Sequence, residues 1–248
     1  MKQGFKIKEI NGVKCIIIPE LEKLNFIRHS FIIKQKDLEL ETNGRLRESA
    51  AKAMGLKDEQ VVIINQVHGD AVLIHERTQD SIEGYDAHIT DCSNTAIGVV
   101  TADCVPIIIA DKVNKVIGAV HAGWRGTLKR IVQKTVKSMA DNFGSRPQDM
   151  VAGIGPSIGP CCYEVDDEVA GPMKKEFKYA ERYTIYKMKN KWHLDLQSIN
   201  KEQLIEAGLI EGNINTTELC TACHSDLFYS YRRDGAGTGR MMAVVMIK

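Results

Sequence analysis

The chain has 248 residues, enough for one large α/β domain or two small ones with a real core. Its 44% hydrophobic and 26% charged residues are ordinary for a globular protein, and a formal charge of +1 offers no long-range field for nucleic acid or an anionic membrane. No run approaches the roughly 18 apolar residues of a membrane span. The first residues also lack the apolar region of an export signal, so the expected location is the cytoplasm. The seven cysteines are then expected as thiols or metal ligands instead of a disulfide framework.

Residues 5–10 and 13–18 read as strands joined by Asn11-Gly12, a pair that tolerates the positive φ angles of a two-residue hairpin turn. A further strand is expected at 29–34 and a helix over 43–54, stopped by Gly55. The apolar run 61–64 leads into Asn65-Gln-Val-His-Gly-Asp70, and 71–74 is expected to turn back beside it. Strands follow at 87–90 and 96–101, then two short β-branched runs at 107–110 and 116–120. Leu128, Ile131, Val132, Val136, Met139, Ala140 and Phe143 share one face at helical spacing, ended by Gly144. Beyond it the pattern predicts a strand at 151–154, a charged helix from about Asp166, a strand at 191–196, a helix at 198–207 and a closing strand at 241–247. No repeat or Pro/Ser-rich linker divides the chain. The expectation is one α/β domain over residues 1–248, a mixed sheet covered by helices.

Cys104 stands just before the first of the two short runs and His121 at the end of the second, ahead of Ala-Gly-Trp-Arg-Gly126. A thiol, an imidazole, an arginine and two glycines cost stability at strand ends, which is where α/β folds place ligands. His68 also follows an apolar run. The three are too far apart for a local finger, but adjacent loops would bring them together. Two imidazoles and a thiolate make a three-ligand zinc site with a fourth position for water or substrate, where zinc lowers the pKa of bound water to about 7. Spacing alone leaves a plainer alternative, with Cys104 a small buried hydrophobe and His121 a hydrogen-bonded strand end.

Cys220-Thr-Ala-Cys223-His224 matches the C-x-x-C-H haem-attachment pattern, but covalent haem normally needs export. A second structural metal on Cys161, Cys162, Cys220 and Cys223 meets the objection that adjacent cysteines make awkward tetrahedral ligands, so packed or idle thiols are the expectation. The glycine-rich stretches at 153–159 and 235–239 match neither G-x-G-x-x-G nor a Walker loop. Arg232 and Arg233, after Phe228-Tyr-Ser-Tyr231, are candidates to clamp a phosphate, with a solvated, salt-bridged turn as the alternative. H-x-E with P-C-x-x-C and H-x-H, the marks of two other deaminase scaffolds, are absent.

Taken in order, Asn65–Asp70, Asp86-Ala-His-Ile-Thr90, Thr101-Ala-Asp-Cys-Val-Pro106, Ala119-Val-His-Ala-Gly-Trp-Arg-Gly126, Gly153-Ile-Gly-Pro-Ser-Ile-Gly159 and Phe228-Tyr-Ser-Tyr-Arg-Arg233 resemble the YfiH-type family from about Val61 onward. That family was described first as laccase-domain polyphenol oxidases and later as purine nucleoside phosphorylases with adenosine deaminase activity. The resemblance implies an α/β sandwich related to Cys/His deamidases, with one zinc (copper the lesser alternative) on His68, Cys104 and His121. It implies phosphorolysis of adenosine, inosine or methylthioadenosine and deamination of adenosine, the arginine pair falling on Arg232 and Arg233. Asn65 and Asp103, beside the ligands, are candidate supporting groups. The expected partners are a purine nucleoside and phosphate, with no nucleic acid or membrane. One stretch departs from the family pattern: His29-Ser-Phe-Ile-Ile-Lys34 stands where relatives carry H-G-F-S-T-R, and residues 35–42 lack the glycine-rich loop that follows it. Lysine keeps the charge there but not the planar fork. Three rivals remain: a metal-free hydrolase or deamidase with Cys104 as nucleophile, His121 as base and backbone amides near Gly123; a copper polyphenol oxidase, for which seven histidines with no H-x-H pair are a poor donor set; and a non-enzymatic binding or redox-sensing protein using Cys220 and Cys223.

Overall fold

Two six-stranded mixed sheets pack face to face in the computed structural model of the chain, which describes residues 4–35, 43–75, 83–188 and 190–248. In chain order the strands begin β1 (Lys6–Ile10), β2 (Val13–Ile17), β3 (Ile27–Ile32), β4 (Val61–Ile63), β5 (Val72–Ile74), β6 (Ala87–Thr90) and β7 (Ala96–Thr101). They continue with β8 (Val105–Asp111), β9 (Ile117–Ala122), β10 (Met150–Ile154), β11 (Glu164–Val165), β12 (Thr184–Met188), β13 (Lys191–Leu194), β14 (Ile214–Thr216) and β15 (Met241–Ile247). The helices are α1 (Pro19–Glu22), α2 (Asn43–Met54), α3 (Trp124–Leu128), α4 (Ile131–Phe143), α5 (Asp167–Glu176), α6 (Leu196–Glu206) and α7 (Tyr231–Asp234).

The first sheet has the order β1-β2-β3-β15-β7-β4 and the second β14-β10-β8-β9-β6-β5, with a small β11-β13-β12 sheet beside them. Helix α2 covers the outer face of the first sheet, and α4 the outer face of the second. The layers are therefore α–β–β–α, and the central strands of both sheets are buried on both faces, while the edge strand β1 is largely exposed. Alternation along β15 shows how: Met242, Val244 and Met246 pack with α2, while Met241, Ala243, Val245 and Ile247 pack toward the second sheet. In β8, Ile108 and Ala110 meet the first sheet while Ile107 and Ile109 meet the helices. Each such apolar side chain contributes about 1.5–3 kcal/mol by burial, which is why these strands read as continuous apolar runs.

The hairpin forms as predicted, with Ile10 opposite Val13 and Asn11 and Gly12 at φ 50° and 80°. Helix α2 ends at Gly55, whose φ of 70° suits only a residue without Cβ strain. Three expectations change. The single sheet is two sheets. The strand at 72–74 does not pair with that at 61–63: β4 joins β7 in the first sheet and β5 joins β6 in the second. The loop between them therefore crosses from one sheet to the other. Leu128 belongs to α3, because Arg130 at φ 64° breaks the helix before α4 starts. Residues 36–42, where the missing glycine loop was expected to matter, lie outside the described residues.

Candidate active site

Two crossings between the sheets meet at one end of the sandwich. The β4–β5 loop carries His68, and the short β7–β8 connection carries Asp103 and Cys104. His121 lies on β9 opposite Pro106, so it emerges beside the start of β8. The result is a group in which the ligand atoms of His68, Cys104 and His121 all lie within 4.8 Å of one another. The two imidazole rings stand edge to face, 4.9 Å between centroids.

Asp86 holds this group together, and its role was not legible in the sequence. Its carboxylate is fully buried and accepts the backbone N–H groups of Val67, His68 and Gly69 at 3.1, 2.9 and 2.6 Å. It also lies 2.7 Å from His121 Nδ1. That contact leaves Nε2 as the nitrogen available to a ligand. Burial opposes ionisation of Asp86, but the His121 bond and the amide donors prevail and its pKa is lowered. A carboxylate at the entrance of the buried strand β6 had to be paired, which was the available signal.

Crowding around the group is visible at Gly123. A Cβ there would sit 3.1 Å from Cys104 Sγ and 3.2 Å from His68 Cδ2. An added methyl group would have to push Cys104 and His68 back by a few tenths of an ångström. Burial pushes the Cys104 thiol up, yet the charge of His121 and hydrogen bonds from His121 and His68 outweigh it and lower it to about 6. His121 moves the other way, to about 9, because the Cys104 charge and the Asp86 bond overcome its burial. The site is thus arranged as a thiolate beside a cationic imidazole. A divalent ion would replace that imidazolium proton as the compensating charge, so one thiolate and two imidazoles fit a metal by donor type and spacing.

The group lies in the wall of a cavity of about 670 Å³, a size suited to a small organic ligand. Asn65, Asp103 and Arg232 line it with the three ligands, as do Trp124, Tyr163 and Arg240, which had not been singled out as site residues. Asp103 holds a strained backbone at φ 95° and receives Thr221 Oγ1, Ser230 Oγ and the Arg232 N–H at 2.5, 3.1 and 2.7 Å. Its carboxylate therefore ties the tail of the chain to the residue beside Cys104. The arginine pair divides. Arg232 lines the cavity, its Nη1 donating to the carbonyls of Cys162 and Glu164 while the guanidinium stacks over Tyr163. Arg233 is not among the lining residues; its guanidinium pairs with Asp234 and donates to the carbonyls of Thr221, Ala222 and Phe228. Both sit on the short helix α7 and not at a strand end. Lys34 lies over the Tyr229 ring, 5.2 Å from its centroid, and is not part of the cavity lining.

Comparison with known proteins agrees with this architecture. Residues 24–248 match the family described as multi-copper polyphenol oxidoreductase laccase. A protein of Clostridium acetobutylicum named purine nucleoside phosphorylase is 34% identical over 93% of this chain and 99% of its own length. A protein from an unidentified prokaryote, named adenosine deaminase RL5, is 35% identical over 78% of each chain. The crystal structure of the hypothetical protein YfiH from Bacillus licheniformis superposes with a TM-score of 0.88 at 28% identity, covering 98% of this chain and 99% of that one. Among the described residues no helix is long and apolar enough to cross a membrane. With the match spanning nearly the whole sequence and a relative aligned from end to end, the chain belongs to the multi-copper polyphenol oxidoreductase laccase family.

Proposed function

We propose that this chain is a zinc-dependent purine nucleoside enzyme that cleaves adenosine, inosine or methylthioadenosine with phosphate and deaminates adenosine. The observation that carries the reading is the convergence of His68, Cys104 and His121 in a nucleoside-sized cavity that also presents Arg232. Relatives named for both activities support it. A zinc ion on these three residues supplies Lewis-acid polarisation of a substrate or water oxygen. The chain's own groups do the rest. Asp86 fixes the His121 tautomer and the His68 loop, so the ligands are pre-positioned. Arg232 faces the phosphate as a bidentate donor, held by the Cys162 and Glu164 carbonyls and backed by Tyr163, while Arg233 positions α7 from behind. Trp124, Ile158 and Tyr163 offer apolar and aromatic faces to the base and exclude water. Asn65 and Asp103 stand beside the ligands as supporting groups.

In phosphorolysis a phosphate oxygen bonds to C1′ as the glycosidic bond breaks and the base leaves with a proton. In deamination water adds at C6 and ammonia leaves. Zinc-loaded protein is expected to release adenine from adenosine with phosphate and to form inosine without it. If neither product forms while a control phosphorylase and deaminase are active in the same assay, the proposal fails.

The thiolate–imidazolium contact of Cys104 and His121 also suits a metal-free hydrolase. His68 separates the two readings: a Cys/His dyad tolerates His68→Ala, whereas a zinc site does not. Copper oxidation is less well supplied, because among the described residues only one metal-competent group contains histidine.

A further inference from the structure

We infer that the chain carries a second, structural metal site in which Cys161, Cys162, Cys220 and Cys223 bind one divalent, thiolate-preferring cation of the zinc class. The four sulfurs all lie within 4.8 Å of one another, with Cys223 Sγ 3.4 Å from both Cys161 and Cys162. With zinc–sulfur bonds of about 2.3 Å, a tetrahedron has sulfur–sulfur edges of about 3.8 Å. The spacing therefore suits a single ion. A four-iron cluster would hold its sulfurs much farther apart around its own core.

The adjacent cysteines, which looked awkward in sequence, are reconciled by a turn. Cys162 N and Tyr163 N both donate to the Gly159 carbonyl, so the chain folds back and both sulfurs reach Cys223. On the other side, His224 N donates to the Cys220 carbonyl and closes the Cys220–Cys223 knuckle. Gly159 stands to this group as Gly123 stands to the first: a Cβ would lie 3.2 Å from Cys220 Cβ and 3.4 Å from Cys161 Sγ. An ion with four thiolates carries two net negative charges. The Arg232 guanidinium docks on the Cys162 carbonyl and brings a positive charge beside them, while Arg233, already paired with Asp234, braces the Thr221 and Ala222 carbonyls. Binding replaces the four thiol protons, which pass to solvent, and no oxidant or reductant is needed.

All four positions are filled by protein, which leaves no place for substrate and marks the site as structural. What it holds is the back wall of the cavity. The loop with Cys162 leads directly to Tyr163 and anchors Arg232, and Thr221, next to Cys220, donates to Asp103. The inference holds whatever reaction the cavity performs.

The test is anaerobic titration of reduced, chelator-stripped full-length chain with Co2+, followed by zinc analysis of protein from unsupplemented cells. Wild type is expected to bind two equivalents, and the His68→Ala/Cys104→Ala variant one. That retained ion should show intense thiolate-to-cobalt charge transfer and the visible bands of a tetrahedral site, both lost when Cys220→Ser and Cys223→Ser are added to that variant. A His68→Ala/Cys104→Ala protein that binds no cobalt, or binds it without thiolate charge transfer, overturns the inference. So does recovery of the four cysteines as disulfides from anaerobically prepared wild type. The decisive variant keeps all four cysteines, so poor folding of the serine variant does not cloud the answer.

Discussion

The two thiol-bearing groups at this end of the sandwich differ in what stands behind and in front of them. His68, Cys104 and His121 have a buried carboxylate behind them and a cavity in front. Cys161, Cys162, Cys220 and Cys223 have backbone carbonyls and arginines around them, and an ion on all four would keep no open position. One thiolate with neutral ligands leaves a metal electrophilic; four thiolates saturate it. On the proposed reading the same element of chemistry would serve reaction in one place and cohesion in the other, with its surroundings deciding which.

Replacing a ligand on each side tests this division most severely. Cys104→Ala or His68→Ala is expected to lower kcat for nucleoside turnover by about 10³-fold or more, with a melting temperature that stays close to that of wild type carrying an ion only on its four cysteines. Cys220→Ser/Cys223→Ser should instead lower thermal stability and raise KM, leaving the zinc on His68, Cys104 and His121 in place. If the two variants show the same kinetic profile, the groups do not have separate roles. Asp86→Asn comes next: loss of the charge behind His121 should weaken metal affinity by about 10–100-fold, read by competition with a chromophoric chelator. An unchanged affinity would mean that the carboxylate shapes the loop and nothing more.

The arginine pair sharpens the contrast on a smaller scale. Arg232→Ala is expected to cost about 10–100-fold in kcat/KM, most of it in KM for phosphate. Arg233→Ala should leave that KM within about threefold, because its donors serve the Thr221, Ala222 and Phe228 carbonyls, and should cost about 1–3 kcal/mol of stability instead. Equal phosphate KM effects would return Arg233 to the substrate.

The smallest effect is a reactivity profile. In metal-free protein the thiolate is the form that iodoacetamide attacks. Cys104, lowered to about 6, should reach its full alkylation rate just above that pH and lose it as pH falls through 6. Cys162, pushed up to about 11 by burial and its contact with Cys223, should still be gaining rate at pH 9. Peptide mass spectrometry across pH 5–10 distinguishes the two curves, and coincident curves would contradict the different environments.

The sequence carried the elements well and the crossings poorly. Asn11-Gly12, Gly55 and the face of α4 each announce local geometry, and the structure follows them. The strands at 61–63 and 72–74 look alike in apolar character, and nothing local says that they belong to different sheets; the central strands of both sheets are buried on both faces, so periodicity cannot assign a strand to one of them. The three ligands stood out because a thiol and imidazoles at strand ends are costly. Asp86 did not, since its worth lies in three amides and an imidazole brought to it by tertiary structure. The adjacent cysteines were discounted as awkward tetrahedral ligands; the turn closed on the Gly159 carbonyl brings both sulfurs to Cys223.

Because His68 and Cys104 ride on the two strand-to-strand passages that join the layers, an ion bound between them would act as a rivet through the sandwich. Binding there would stabilise the folded chain by linkage: each tenfold rise in free ion above Kd would add about 1.4 kcal/mol of resistance to unfolding. Melting curves recorded at graded free-metal concentrations are therefore expected to rise with occupancy, and curves that do not move would show that no ion bridges the two passages.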